Sequence, residues 1–211
     1  RSAEGGLYKA MLALGTIYYA GDYDVPKDNV AALTWLQKVP TDYWQQQMPD
    51  LYPILLGKIY SERRGVLDRS LAEKWFKKSE APEASLLLAN LFYNKRYGSP
   101  DLEKVIGYAS ASESSLEGPA RALTQALLSQ AFFINKDLQS SLYWAEQSFQ
   151  LGSSSALEAL AIDLIYGINI NNNLFTLFLF KSLNLSKNVA LVLPKSLISS
   201  PEHDQIRSKI E

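Results

Sequence analysis

Apolar residues recur at helical spacing at the start of the chain. One run covers about residues 7–19 and a second covers about Asn29–Val39, both with a period near 3.6 residues. Gly21 lies between them, where a helix must stop and the chain must reverse. This pattern predicts a helix A, a loop and a helix B. The apolar face of helix A is formed by Leu7, Met11, Leu14 and Tyr18.

The helix A motif returns along the chain. Residues 14–18 and 56–60 both read Leu-Gly-x-Ile-Tyr, and weaker copies begin at residues 88, 128 and 162, at spacings of 42, 32, 40 and 34 residues. A second column consists of a large residue seven positions after an Asp or Asn. The five pairs are Asp28 with Trp35, Asp68 with Trp75, Asp101 with Tyr108, Asp137 with Trp144, and Asn172 with Leu179. Such polar side chains favour the N-cap of each helix B.

These columns predict a repeat protein. A single helix pair cannot bury its apolar face, whereas a stack of pairs can. We therefore expect an all-α solenoid of about five helix-turn-helix repeats in one domain spanning residues 1–211. The expected repeats are residues 5–42, 48–80, 82–115, 118–152 and 155–185, with a C-terminal capping helix within 186–211.

Two further columns indicate packing rather than ligand binding. A small residue in each helix A fits a close approach between helices; the column is Gly15, Gly57, Ala89 and Ser129. We interpret the aromatic columns as inter-helix core. They comprise Tyr18, Tyr60, Phe92, Phe132 and Tyr166 in helix A, and Trp35, Trp75 and Trp144 in helix B.

The second unit resembles the Sel-1-like repeat family, which is related to tetratricopeptide repeats. It matches the family pattern in Leu56-Gly57, Tyr60, Gly65-Val66-Leu67-Asp68, Ala72, Trp75 and Lys78. The first unit is similar, with Val25-Pro26-Lys27-Asp28, Ala32 and Trp35, whereas the later units are degenerate. The resemblance implies a right-handed superhelix and a non-catalytic adaptor that binds other proteins, often through the A helices.

Family members in bacteria are often exported, and the resemblance implies several roles. Some assemble envelope polysaccharide, and some are immunity proteins that neutralise type VI secretion phospholipase effectors. We favour an inhibitor or immunity protein in the periplasm or at the outer membrane, because the array is short and acidic loops sit beside basic ones. The start at Arg1 fits a processed product and leaves room for a lipid anchor upstream. The alternative is a structural adaptor in polysaccharide or secretion assembly.

Two groups of polar and aromatic residues are candidates for contact with a partner. The first follows the small residue in each helix A and consists of Thr16, Lys58, Asn90 and Gln130. The second lies in the expected A–B loops, where Tyr and Arg are typical of binding hot spots. Its members are Tyr19, Tyr23, Arg63, Arg64, Lys95, Arg96 and Tyr97. An ordinary solvated surface remains the alternative for both groups.

Composition removes several classes of function. The formal net charge is −1, so no global basic field exists to bind nucleic acid. The chain has no cysteine and a single histidine, which excludes thiolate and clustered-histidine metal sites. We therefore predict no cofactor, no metal and no catalysis. The stretch Leu164–Phe180 lacks charge but contains four asparagines, which is too polar for a membrane span.

Two remaining features keep alternatives open. Glu113-Ser114 is similar to the catalytic Glu-Ser of helical lytic transglycosylases, which leaves a muramidase-like enzyme as a remote alternative. The apolar segment Leu174–Phe180 is expected to be a buried last helix, and the alternative is a patch that docks a partner.

Overall fold

The computed structural model describes residues 2–22, 24–62 and 67–153, and it divides into two compact units, Arg1–Ser112 and Glu113–Glu211. All regular secondary structure in these ranges is helical. The expected fifth repeat, the C-terminal cap and the apolar segment Leu174–Phe180 lie outside the described residues. The α-helices are α1 Ser2–Ala20, α2 Asn29–Leu36, α3 Thr41–Gln47, α4 Leu51–Ser61, α5 Arg69–Phe76, α6 Pro82–Tyr93, α7 Leu102–Glu113, α8 Gly118–Ile134 and α9 Leu138–Gln150; a 3-10 helix covers Lys95–Tyr97.

Four A–B helix pairs account for the predicted repeats within the described residues. They are α1 with α2, α4 with α5, and α6 with α7, followed by α8 with α9 in the second unit. The first pair runs antiparallel, because Asp28 bonds to Tyr18 near the turn while Leu36 lies against Gly15 farther back. The predicted fold class, an all-α solenoid of helix-turn-helix repeats, is confirmed for the described residues.

The acidic column caps helix B as predicted. In α2, Asp28 Oδ1 accepts from the backbone N–H of Val30 at 2.9 Å and of Ala31 at 3.0 Å. The other three aspartates each accept one backbone N–H in the first turn of their helices, namely Asp68 from Leu71, Asp101 from Lys104 and Asp137 from Ser140. These bonds satisfy donors that a helix start leaves without partners.

The same aspartates also close the turn through their main chain. The backbone N–H of each donates to the carbonyl of the aromatic residue near the end of helix A. These bonds are Asp28 to Tyr18 at 2.8 Å, Asp68 to Tyr60 at 2.9 Å, Asp101 to Phe92 at 3.2 Å and Asp137 to Phe132 at 3.0 Å. We call this recurring bond the turn clamp. It fixes where helix B starts relative to helix A in all four pairs.

The small column is required by close helix approach. A Cβ added to Gly15 would lie 2.5 Å from Leu36 Cγ, and one added to Gly57 would lie 2.5 Å from Phe76 Cδ1. Both distances are far below normal van der Waals contact, so a methyl group at either position would force Leu36 or Phe76 to shift. In the later pairs Ala89 and Ser129 occupy the column and are fully buried.

The core of helix B lies one residue beyond the predicted Trp column. Trp35, Trp75 and Trp144 are half-buried, and Trp75 packs on the edge of the first core cluster. The fully buried positions are the residues that follow the large column and those four places earlier. They are Ala32 with Leu36, Ala72 with Phe76, Val105 with Ala109, and Ser141 with Ala145. The tryptophans therefore cover the core and do not fill it.

The short helix α3 was not expected. It is inserted between the first and second pairs and buries Trp44, which is 4% exposed. The Trp44 ring stacks on Tyr52 with centroids 5.0 Å apart, and Trp75 meets the edge of both rings. The Tyr52 hydroxyl donates to the Leu36 carbonyl at 2.7 Å, and burial raises the pKa of Tyr52 to about 12. This aromatic cluster joins the first and second pairs.

Candidate functional site

The polar column of helix A is reached by solvent in the first unit. Thr16 and Asn90 are exposed, and their side chains bond only to carbonyls one turn back in their own helices, Leu12 and Leu86. Lys58 pairs with Glu83 of α6 at 2.8 Å, with about a third of its side chain exposed. In the second unit Gln130 is half-buried in α8. We call Thr16, Lys58 and Asn90 the A-helix column.

Glu62, directly after α4, gathers three side chains from the first helix pair. The Tyr19 hydroxyl donates to Glu62 Oε1 at 2.9 Å, and Lys27 Nζ lies 2.7 Å from Oε2. The Asn29 amide adds a longer bond of 3.3 Å to Oε2. Lys27 Nζ also sits 4.3 Å from the Tyr19 ring centroid. These contacts join residues up to 43 positions apart in the chain.

The arrangement favours an ionised Glu62. Partial burial raises the pKa of its carboxyl, but the hydrogen bonds from Lys27, Tyr19 and Asn29 outweigh burial and hold the pKa below its usual value. The pKa of Tyr19 is raised, first by burial and then by its bond to the Glu62 carboxylate. At neutral pH Tyr19 is therefore a neutral donor to a charged acceptor, which is a strong type of hydrogen bond.

The 3-10 helix Lys95–Tyr97 brings a second tyrosine to the same end of α4. The Tyr97 hydroxyl donates to the Ser61 carbonyl at 3.0 Å, which joins the third pair to the second. Lys95 and Arg96 are exposed, whereas Tyr97 is half-buried. We call the set Tyr19, Lys27, Glu62, Lys95, Arg96 and Tyr97 the loop edge. It is a surface held together by side chains from three successive helix pairs.

The predicted contacts of the A–B loops differ in whether their side chains are bonded to the protein, exposed to solvent or outside the described residues. Tyr19 lies in the last turn of α1, not in a loop, and its hydroxyl is committed to Glu62. Tyr97 is likewise engaged, so both tyrosines shape the surface more than they project from it. Lys95 and Arg96 do project. Tyr23, Arg63 and Arg64 lie outside the described residues.

Sequence reasoning missed two residues that organise the loop edge, Lys27 and Asn29. Lys27 and Asn29 flank the capping Asp28, which is a local signal for a position near the turn. No local signal pairs either of them with Glu62, because the pairing depends on how successive helix pairs stack.

In the second unit, Glu113 is held by two neighbours. Arg121 Nε donates to Glu113 Oε1 at 2.8 Å, and the Gln125 amide donates to the same oxygen at 2.7 Å. Partial burial raises the pKa of Glu113, but these two bonds bring it below the usual value. A general acid for glycoside cleavage needs a raised pKa, so this environment does not suit the muramidase role.

In the part of the chain that is described, no group of three or more His, Cys, Asp or Glu is placed to hold a metal ion.

Across residues 2–22, 24–62 and 67–153, no helix has the length and apolar character needed to cross a membrane.

Comparison with known families supports the repeat assignment. The Sel1 repeat model matches residues 9–38, 54–80 and 127–153, which correspond to the first, second and fourth helix pairs. The third pair lies outside these segments but shares the turn clamp and the aspartate cap. Neither the curated proteins nor the solved structures that were searched contain a match. The chain thus carries Sel1 repeats, which indicate a protein–protein interaction module.

Proposed function

We propose that the chain binds a protein partner along the A-helix column and the loop edge of its first unit, without catalysis of its own. The observation that carries this proposal is the pair of tyrosine bonds, Tyr19 to Glu62 and Tyr97 to Ser61, which join three helix pairs at one edge. A surface whose side chains are already fixed loses little conformational entropy when a partner binds.

Exposed polar groups complement this fixed edge. Thr16 and Asn90 use their own backbone as hydrogen-bond partners and leave capacity for a partner. Lys95 and Arg96 project from the 3-10 helix. A polar surface of this kind is typical of the rim and specificity contacts of a protein interface.

Within this class we propose an inhibitor or immunity protein of the bacterial envelope that neutralises a secreted effector. The Sel1 repeats support a protein partner, and the family resemblance supports the role and the compartment. Such a protein forms a tight one-to-one complex with a single enzyme and abolishes its activity. A structural adaptor instead co-purifies with several assembly components.

The experiment is affinity capture from the native cells with the tagged chain, followed by mass spectrometry. The test variant carries Thr16→Arg and Asn90→Arg, which place bulky charge on exposed positions of the A-helix column. The matched control carries Gln45→Arg and Gln139→Arg, which make the same charge change at exposed sites in α3 and α9.

We expect one stoichiometric partner that is lost from the test variant and retained by the control. An enzyme that is inhibited by the chain would establish the inhibitor role, and several assembly proteins would establish the adaptor role. Equal capture by both variants would remove the A-helix column from the interface. If the purified chain by itself degraded a substrate, such as a purified glycan, the non-catalytic assignment would be wrong.

A further inference from the structure

Two cations converge on one buried aromatic ring in the first unit. The Arg69 guanidinium carbon lies 4.5 Å from the centroid of Phe92, and Lys104 Nζ lies 4.4 Å from the same centroid. The Arg69 guanidinium carbon and Lys104 Nζ can therefore be no farther apart than these two distances laid end to end. Phe92 is only 3% exposed, so the ring stabilises the two cations but is not itself a contact surface.

Further positive charge borders this pair. The Arg69 guanidinium also lies 5.5 Å from the centroid of Tyr97, whose pKa is raised by burial against the lowering effect of the Arg96 and Arg69 charges. Lys95 and Arg96 immediately precede Tyr97 and are exposed. We call Arg69, Lys95, Arg96 and Lys104 the cationic corner; it continues the loop edge toward the N-termini of α5 and α7.

The nearby carboxylates do not neutralise this charge in full. Asp68 and Asp101 cap α5 and α7, so each uses an oxygen for a backbone N–H. The Asp101 contact to Lys104 Nζ is long, at 3.4 Å, and nearly half of the lysine side chain is exposed. Glu103 is an exposed acid on the same turn of α7. Among the described residues, the cationic corner thus holds four cations, and the two helix starts beside it carry three carboxylates, those of Asp68, Asp101 and Glu103.

The positions of Arg69 and Lys104 in their helices increase the positive electrostatic potential of the cationic corner. Both lie in the first turn of a helix, where the backbone dipole is already positive. Cations are locally unfavourable there, since acidic residues are the ones that stabilise helix starts. A carboxylate supplied from outside would relieve both unfavourable interactions. Local rules of this kind are broken most often at functional sites.

We propose that the cationic corner binds an acidic segment of the protein partner, with Asp or Glu carboxylates paired to Arg69 and Lys104. This inference rests on the proposed function and names the chemistry of the partner. A guanidinium supported by aromatic rings is pre-organised to donate two bonds to a carboxylate. The buried Phe92 offers no face for base stacking, and the net charge of the chain is −1, so a nucleic acid is disfavoured.

The test measures fluorescence anisotropy at low salt with three labelled probes. They are a Gly–Ser peptide bearing a run of glutamates, the same peptide with glutamines, and a single-stranded oligothymidylate. The test variant carries Arg69→Met and Lys104→Met, which keep an apolar stem over Phe92 but remove the charges. The control carries Lys9→Met and Lys74→Met, which remove two exposed lysine charges elsewhere.

We expect the native chain and the control to bind the glutamate peptide about fivefold or more tighter than the glutamine peptide, as two partly exposed charge pairs should provide. The test variant should lose this preference while it keeps a native helical spectrum. Equal preference in the test variant, no preference in the native chain, or tighter binding of the oligothymidylate would each overturn the proposal.

The two proposals fail in separable ways. Capture of a protein that depends on the A-helix column, together with no preference for the glutamate peptide, would remove the acidic chemistry alone. A clear preference for the glutamate peptide without any captured protein would remove the proposed function but keep the cationic corner as a site for carboxylates.

Discussion

The second and fourth helix pairs share a backbone arrangement but pack with different chemistry. In the second pair, Gly57 leaves a notch for the fully buried ring of Phe76. In the fourth pair, the same column holds Ser129, and Ser141 Oγ donates to the Ser129 carbonyl at 2.8 Å. Ser148 Oγ makes a second such bond, to the Ala122 carbonyl at 2.8 Å.

This difference shows that the small column of helix A requires a small side chain but not one particular residue. The helices come close enough to exclude a methyl group at Gly57 but admit a hydroxymethyl at Ser129. In the first case apolar burial supplies the stabilisation, and in the second buried hydroxyls must find carbonyl partners to be tolerated. The substitutions below test this contrast.

The largest effect should come from Phe76→Ala. Phe76 is 1% exposed, so its removal leaves a cavity and should lower the free energy of unfolding by about 3–5 kcal/mol. Trp75→Ala removes a larger but half-buried ring and should cost less, about 1–3 kcal/mol. Urea unfolding followed by far-ultraviolet circular dichroism measures both. A greater loss for Trp75→Ala would mean that the tryptophan column is the true core.

The next effect concerns the notch. Gly57→Ala should destabilise by about 1–2 kcal/mol, because overlap with Phe76 exceeds the gain in helix propensity. Gly107→Ala is the matched control, since an added Cβ there meets nothing within 4 Å. That variant should instead stabilise by about 0.5–1 kcal/mol. If thermal unfolding shows that both substitutions stabilise, the notch is not needed.

A smaller effect is expected in the fourth pair. Ser141→Ala removes the buried bond to the Ser129 carbonyl and should cost about 1–2 kcal/mol. The control Ser110→Ala changes an exposed helical serine and should stay within about 0.5 kcal/mol of the native chain. Unchanged urea midpoints for both would show that these hydroxyls only fill space.

The smallest effect tests a charge that only the first two pairs carry. Lys38 Nζ and Lys78 Nζ each lie 4.0 Å from the ring centroid of the tryptophan three residues earlier. In the fourth pair, the residue three positions after Trp144 is Gln147, which has no charge. Lys78→Gln should cost about 0.5–1 kcal/mol, and Gln147→Lys should gain about 0.5 kcal/mol. Differential scanning calorimetry is suited to such shifts. Opposite signs would contradict a cation–π contribution.

Much of the fold could be predicted because its signals are local. The aspartate column marks the start of each helix B, and a cap needs only the next three residues. The small column was also readable from the alignment of repeats. The buried face of helix B was predicted at the tryptophans but lies at the residues that follow them. Adjacent positions belong to one apolar stripe, and the large tryptophan ring is the more prominent apolar signal in the sequence. Helix α3 was missed because seven residues are too few to show a period.

The candidate site was less predictable. Lys95 and Arg96 are exposed, which is compatible with their selection as contacts. The hydroxyls of Tyr19 and Tyr97 find partners 43 and 36 residues away, and no sequence pattern encodes those distances. Arg69 and Lys104 are 35 residues apart in the chain and come together only because both contact the ring of Phe92. Such sites depend on the stacking of repeats, and their binding role stays a prediction.

The turn clamp has a consequence for how such a chain diversifies. Tyr18 and Asp28 are ten residues apart, whereas Phe132 and Asp137 are five apart, yet the same main-chain bond closes both turns. Because the bond uses only backbone atoms at its two ends, residues can be inserted or deleted between them without a change in helix packing. The A–B segments are thus sites where recognition sequences can be exchanged, by evolution or by grafting, on an unaltered frame.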